Sequence, residues 1–341
     1  MTDPQSKPRS IAVVGATGAV GEILLQVLAE RRFPVSRLLP LASGRSAGST
    51  VRFRGEALTV EEARPAAFEG IDFAFFAATG ALSKDLAPEA ARRGAVVIDK
   101  SNTWRMDDGV PLIVPEVNPD AAAKHRGIIA CPNCTTIGLV MALEPLRRAA
   151  GLRSVVVTTL QAASGAGREG IDELAHQNAA IVKGGPLEAK VFPRNLAGNV
   201  LPLCESFRND GYSTEEMKLL LETRKILELP QLDVSMTCVR VPVAVGHSAT
   251  VLVETERPLS PAAARAAFEA FPGVRVMDDP AQNVFPTPED VAGRDEVLVG
   301  RIRRDLSSDR LWLWQVSDNL RKGAATNAVQ TAELLLARGL A

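Results

Sequence analysis

Aromatic side chains are scarce: the 341 residues include 11 Phe, 3 Trp and 1 Tyr. So few flat rings leave little material for a surface that stacks nucleic-acid bases. Charge of either sign is not in excess, with 39 Lys plus Arg against 40 Asp plus Glu and a net charge of −1. The electrostatic footprint of a nucleic-acid or anionic-membrane binder is therefore missing. No apolar run approaches the ~18 residues of a membrane span. The start, Met1 to Ser10, is polar, carries two prolines and lacks the apolar core of a signal peptide. Four cysteines, Cys131, Cys134, Cys204 and Cys238, are too sparse for a disulfide framework. The expectation is a soluble, cytoplasmic protein with free thiols, no membrane association and no nucleic-acid partner.

What remains is an ordinary globular composition, 46% hydrophobic and 23% charged, in a chain long enough for about two domains. Short apolar runs at Ile11 to Val14, Arg37 to Ala42, Phe73 to Ala77, Ala95 to Ile98 and Gly127 to Ala130 are interleaved with helical patterns at Glu22 to Arg31 and Ser83 to Arg93. Strands alternating with helices predict an α/β fold with a parallel sheet. The character changes near residue 134. A helix over Thr135 to Ala150 is followed by strand-like runs at Ser154 to Leu160, Val234 to Val241, Thr250 to Thr255, Glu296 to Arg303 and Leu311 to Val316. Helical patterns at Gly170 to Lys183, Thr214 to Leu227 and Pro261 to Ala270 cover them, predicting an α+β second domain on a mainly antiparallel sheet. Gly184 to Pro202 reads as a long ordered loop, and Ala324 to Arg338 as the final helix.

Gly15-Ala-Thr-Gly18-Ala-Val-Gly21 lies between the first strand and the first helix. Glycines there let the chain turn tightly and bring backbone N–H groups to a phosphate at the helix start, the context of a dinucleotide site. The end of the second strand holds no acid to grip a ribose 2′-hydroxyl. It holds Ser43, Arg45 and Ser46 instead, a guanidinium with two hydroxyls suited to a 2′-phosphate. NADP is the expected cofactor. A solvated surface loop is the plainer alternative.

Cys131-Pro-Asn-Cys134 has metal-like spacing, but a metal would need two more ligands nearby, and no second such pair exists. Cys134 instead opens a predicted helix, where an anionic sulfur is favoured. It is the candidate nucleophile, and the other three cysteines are read as buried and structural. A cysteine nucleophile needs a partner base, and the histidines are His125, His176 and His247. His125 sits in a charged, solvated-looking segment and His176 on a helix face. His247, at a Gly-His corner after a strand, is the choice. Arg105 and Arg240 are candidates to hold an anionic substrate. Gln161, at a strand end before Ser164-Gly165, fits a site edge. Glu215 and Lys218 share a helix face, and a surface ion pair explains them equally well at this level.

Together, GATGAVG, LASGRSAG, SNTWR, PNCTT, QAASGAG, EEMK, CVRVPV with GHS, VGRIRRD and VSDNLRKGAA, in that order over nearly the whole chain, resemble the NADP-dependent aspartate-semialdehyde dehydrogenase family. The resemblance implies a Rossmann-type domain of residues 1–133 plus 321–341, and a catalytic and dimerisation domain of 134–320. It implies Cys134 as acyl-thioester nucleophile, His247 as acid/base and Gln161 as the residue that orients the substrate. It places Arg240 on the substrate carboxylate, Glu215 on its amino group, and Arg105 and Lys218 on phosphate. Thr17, Gly18, Ala19, Val20, Arg45, Ser46, Ser164, Gly165 and Asn319 would contact NADP. Glu216 stands beside Glu215; the latter is chosen because its gap to Lys218 matches the family's. The implied reaction reduces L-4-aspartyl phosphate to L-aspartate 4-semialdehyde, on the route to lysine (through diaminopimelate), methionine, threonine and isoleucine, in a homodimer or homotetramer. N-acetyl-γ-glutamyl-phosphate reductase is the nearest alternative, and a non-catalytic NADP-binding protein of the same fold another.

Overall fold

The computed structural model describes residues 7–341. The first six residues, part of the polar start read above as no leader, lie outside the described residues. The chain divides into two compact units: Met1–Asn133 with Ala324–Ala341, and Cys134–Gly323.

The first unit opens with β1 (Arg9–Val14), α1 (Ala19–Glu30) and β2 (Val35–Ala42). A short hairpin of β3 (Thr50–Phe53) and β4 (Glu56–Thr59) follows, then the two-residue β5 (Glu61–Glu62). Next come β6 (Phe73–Phe76), α2 (Gly80–Arg92), β7 (Val96–Asp99) and β8 (Ile128–Ala130). The main sheet runs β5-β2-β1-β6-β7-β8, parallel throughout. Side chains alternate across it, as strand geometry requires. Ile11, Val13, Phe73 and Phe75 pack with α1 on one face, while Ala12, Val14, Ala74 and Phe76 pack with α2 on the other. Both faces are covered, which is why these strands read as continuous apolar runs. The chain leaves β1 towards β2 and returns on β1's other side as β6. Ligands of such sheets bind at that switch point, beyond the strands' carboxyl ends.

The second unit begins with α3 (Cys134–Ala150), β9 (Ser154–Gln161), α4 (Gly167–Lys183), α5 (Thr214–Leu227), β10 (Asp233–Arg240) and β11 (His247–Glu254). It continues with α6 (Pro261–Glu269), β12 (Val274–Val276), α7 (Pro288–Val291), β13 (Val297–Arg304) and β14 (Leu311–Ser317). The sheet order is β10-β9-β11-β14-β13-β12. Three of its five pairings are antiparallel, while β9 with β10 and β12 with β13 are parallel, so the sheet is mixed. The parallel pair arises because the long stretch carrying α4 and α5 is a crossover, as parallel neighbours need. A π turn, Arg321–Ala325, leads into α8 (Thr326–Arg338), which completes the first unit by packing Ala328, Val329, Ala332 and Leu335 into the cluster that holds α1. The final helix thus starts two residues later than its apolar spacing suggested, because the intervening turn is wider than an α-turn.

Candidate active site

One edge of the second unit's sheet gathers most of the polar residues singled out in the sequence. β9 and β10 run in parallel and end in register at Gln161 and Arg240. β11 runs the opposite way and starts at the same edge with His247, opposite Ser317 at the end of β14. Asn319 follows two residues later. Strand direction alone therefore brings Gln161, Arg240, His247 and Asn319 together from four separate parts of the chain. All four are buried. His247 does not lie in the corner but opens β11; Gly246, at φ +97°, makes the corner and frees His247 for strand geometry.

Cys134 is the first residue of α3, and its Sγ lies 3.4 Å from Nε2 of His247. The helix macrodipole favours an anion at that end. α3 is seated closely on the sheet. A side chain at Gly138, one turn on, would stand 2.6 Å from both Gln315 Nε2 and Ser317 Oγ. Of the four thiols only Cys134 is not buried. Burial pushes the Cys131 thiol up to about 11 and the Cys204 thiol up to about 12, and raises Cys238 as well. Those three are therefore inert at neutral pH, as expected of structural cysteines.

The neighbours hold this edge in place. Ala162 N–H donates to His247 Nδ1 at 3.0 Å, and Arg240 Nη1 donates to the Ala162 carbonyl at 2.7 Å. The Arg240 guanidinium also lies over the Phe192 ring, 5.9 Å from its centre. Ser164 and Gly165 belong to a 3₁₀ turn, Ala163–Ala166. Ser164 donates its hydroxyl to Asn319 Oδ1 at 2.9 Å, and Gly246 N–H donates to the same oxygen at 3.0 Å. Two residues expected on the cofactor are thus bonded to each other, and Asn319 keeps its amide N–H groups as donors. Gly165, expected on the cofactor, and Gly323, which the sequence did not single out, are both constrained by space. A Cβ at Gly165 would stand 2.4 Å from Arg240 Nη1, and one at Gly323 would stand 3.0 Å from the Cys134 Cβ.

The two acids on α5 separate cleanly. Glu216 is the N3 residue of a capping box, accepting from Ser213 N–H at 2.6 Å, and its other oxygen accepts from Cys238 N–H at 3.0 Å. Both oxygens are committed to structure. Glu215, 4% exposed, has an oxygen 3.3 Å from Lys218 Nζ. Lys218 is also paired with Glu205, a partner the sequence did not reveal. Cys204 lies within electrostatic range of Cys134, Glu215 and Arg240, so the start of α5 faces the same region.

The remaining candidates belong to the first unit. Gly15, at φ +84°, turns the chain after β1, and a Cβ there would stand 2.3 Å from the Ala77 carbonyl oxygen. A Cβ at Gly21 would stand 2.1 Å from the Gly15 carbonyl oxygen. Gly18 caps α1, followed by Ala19 and Val20, with Thr17 just before it. First-turn amides of a helix lack intrahelical partners; this cradle with no room for side chains fits a phosphate and therefore a dinucleotide. Beyond β2, Ser43 and Ser46 are joined by a tight turn, and Arg45 is exposed with no ion-pair partner among the described residues. β5 lies parallel to the end of β2 and places Glu62 beside this turn. Glu62 is ion-paired with Arg64, so the acid is engaged. Arg105, 6% exposed, donates to the Lys100 carbonyl at 2.8 Å. Its loop is organised by buried Asp99, which accepts from Ser83 and Ser101.

His125 is not solvated as its charged surroundings suggested. It is half-buried, its Nδ1 accepts from Gly127 N–H, and its Nε2 lies 3.0 Å from the Leu340 carbonyl. His176 stands on α4, away from any bond to Cys134. Among the described residues no group of His, Cys, Asp and Glu could hold a metal ion, and no helix is long and apolar enough to cross a membrane.

Residues 10–125 match the family model for the semialdehyde dehydrogenase NAD binding domain, and residues 143–322 that for the semialdehyde dehydrogenase dimerisation domain. The aspartate-semialdehyde dehydrogenase of Aquifex aeolicus is 50% identical over 335 residues, covering 97% of this chain and 98% of that one. The solved aspartate semialdehyde dehydrogenase II of Vibrio cholerae, complexed with ASA, superposes with a TM-score of 0.94 at 46% identity, covering 97% of this chain and 99% of that one. The Candida albicans aspartate semialdehyde dehydrogenase with NADP gives a TM-score of 0.75 at 25% identity, covering 98% and 100%. Sequence over nearly the whole length and fold agree, and this chain belongs to the aspartate-semialdehyde dehydrogenase family.

Proposed function

We propose that the chain interconverts L-4-aspartyl phosphate and L-aspartate 4-semialdehyde, with NADP as cofactor and Cys134 as the residue that carries the acyl group. The observation that carries this is the pair Cys134 Sγ and His247 Nε2 at 3.4 Å, at a helix start and on a sheet edge that also presents Gln161 and Arg240. Bound at the Gly15–Gly21 cradle, the nicotinamide cofactor supplies or accepts the hydride. Ser43, Arg45 and Ser46 suit its 2′-phosphate because the guanidinium forks onto phosphate oxygens. Asn319, Ser164 and Gly165 complete its contacts.

Cys134 attacks the acyl carbon of the phosphorylated substrate and expels phosphate, whose growing charge Arg105 and Lys218 neutralise. Arg240, anchored by Ala162 and Phe192, binds the substrate carboxylate. Glu215 takes the ammonium group, since Glu216 is consumed by the helix cap. Gln161 orients the acyl group against the sulfur, and His247 faces the tetrahedral centre. An ammonium-binding Glu215 favours aspartyl over N-acetylated glutamyl substrates, whose acylated nitrogen is uncharged. The product is an amino-acid precursor on the route to lysine, methionine, threonine and isoleucine.

The second unit also exposes apolar side chains, among them Val156, Ile181, Val182, Val200, Phe207 and Tyr212. Because residues 143–322 match a dimerisation domain, we assign self-association to this unit, as a homodimer or homotetramer. The decisive assay is phosphate-dependent reduction of NADP with aspartate semialdehyde, run beside N-acetylglutamate semialdehyde and with NAD in place of NADP. Turnover with the first substrate and NADP supports the proposal. Preference for the acetylated substrate, or no phosphate dependence, overturns it.

A further inference from the structure

The segment Gly184 to Pro202 leaves α4 with no helix or strand of its own. Irregular stretches of that length inside a compact unit are uncommon and usually functional. Two buried side chains on α4, one turn apart, dictate its path: Glu173 and Gln177. The Glu173 carboxylate accepts from three successive amides. Lys190 and Val191 N–H donate to Oε2 at 2.7 and 2.6 Å, and Phe192 N–H donates to Oε1 at 3.4 Å. Consecutive N–H groups converge on one anion where the backbone curls round it. Gln177 Oε1 accepts from Leu196 and Ala197 N–H at 2.8 and 3.0 Å. Gln177 Nε2 donates to the Glu188 carbonyl at 2.8 Å and to Glu173 Oε1 at 3.1 Å. Burying a carboxylate in this way is costly, and an apolar side chain would fill the same space without that cost.

What the segment delivers is two contacts on Arg240. The Phe192 ring lies against the start of α4, where a Cβ at Gly170 would stand 3.1 Å from its Cζ, and it carries the Arg240 guanidinium 5.9 Å from its centre. Leu201 N–H donates to the Arg240 carbonyl at 2.9 Å, and Arg240 N–H to the Leu201 carbonyl at 2.8 Å, which covers the outer edge of β10. Leu196, Ala197 and Leu201 pack with Phe192, Leu174 and Ala163 in one cluster. A guanidinium grips a carboxylate through two parallel N–H bonds, and that geometry needs a fixed plane. We propose that Glu173 and Gln177 are positioning residues for the substrate carboxylate: by shaping residues 190–201 they set the Phe192 ring and the Leu201 backbone against Arg240 and hold its fork in place. This rests on the reading of Arg240 given above and extends it to α4, a helix outside the sheet edge that carries the chemistry.

The test is a double-mutant cycle on the full-length protein, read as KM and kcat in phosphate-dependent oxidation of aspartate semialdehyde with NADP. Phe192→Leu removes the ring and should raise the KM for aspartate semialdehyde about fivefold, the weight of one cation–π contact. In Glu173→Gln one oxygen becomes an NH2 group, and whichever way that amide turns it meets two donors. Its KM should rise by a similar factor, with kcat and the KM values for phosphate and NADP near the parent's. Because Glu173 acts through Phe192, the double variant should also show a rise of about fivefold, against ~25-fold for independent effects. Should Glu173→Gln not fold, Gln177→Met, which releases the Leu196 and Ala197 amides, goes through the same cycle. A lowered melting temperature with an unchanged KM for aspartate semialdehyde overturns the inference, since it leaves the pair a structural role only. Equal rises in all three KM values, or rises that multiply in the double variant, overturn it too. Arg240→Lys separates this result from the reading beneath it. A parent that does not turn over, or an Arg240→Lys variant with unchanged KM, overturns both. A raised KM in Arg240→Lys with none in Glu173→Gln overturns this inference alone.

Discussion

At the scale of single residues, function separates neighbours that look alike. Glu215 and Glu216 are adjacent acids, but one belongs to a capping box and to Cys238 N–H, and the other faces Lys218. Glu215→Gln should raise the KM for aspartate semialdehyde roughly tenfold, the weight of one hydrogen bond to a charged group, and leave thermal stability near the parent's. Glu216→Gln should do the reverse, lowering the melting temperature with KM little changed. Equal effects in both would show that the division is wrong. The four cysteines divide in the same way. Alkylation at neutral pH should label Cys134 quickly and Cys131, Cys204 and Cys238 only after unfolding, because burial holds their thiols neutral. The sign for stability follows. Above the ordinary thiol value of ~8.5 the unfolded chain ionises while the folded one does not. Stability from these sites is complete below that pH and is lost as pH rises through about 11 for Cys131 and about 12 for Cys204. Peptide mapping of the labelled protein checks the first statement, and urea unfolding across alkaline pH checks the second.

At the scale of elements, capping and strand direction do most of the placing. Ser213 accepts from Glu216 N–H at the start of α5, and Ser213→Ala should cost about 1 kcal/mol in urea unfolding, with KM rising if the helix start shifts Glu215. No change in the unfolding midpoint would mean the cap contributes nothing. α5 was legible from sequence through its helical pattern, and its bounds match the reading. The hairpin of β3 and β4 was not. Its turn, Arg54-Gly55, uses two positive φ angles of 49° and 87°, and arginine at the first position hides a turn that asparagine or aspartate would announce. β5 and β12, at two and three residues, are too short for any periodicity. Nor could the sequence show that β9 and β10 run in parallel. Both are β-branched runs, and only their pairing across α4 and α5 brings Gln161 level with Arg240. The site residues were legible one by one, from a helix start, a glycine corner and strand ends. What held them was not: the Ala162 amide is backbone, Phe192 lies in an irregular segment, and Glu205 is exposed and far from any motif.

At the scale of the whole molecule, the labour is divided between two units, one bearing the nucleotide cradle and the other the sulfur. Substitutions confined to the turn beyond β2 should leave the reactivity of the sulfur unchanged. Arg45→Ala should raise the KM for NADPH ~10-fold or more, as loss of a charged hydrogen-bond partner does, without slowing alkylation of Cys134. An equal rise with NADH would show that the turn beyond β2 does not read the 2′-phosphate. Cys134→Ser should abolish turnover and leave NADPH binding intact. The most direct test of the central claim is the intact mass of the protein quenched during aldehyde oxidation with phosphate withheld, followed by peptide mapping. The account predicts one aspartyl group in thioester linkage on Cys134. A protein that turns over with no added mass, or with the group on any other side chain, would contradict it.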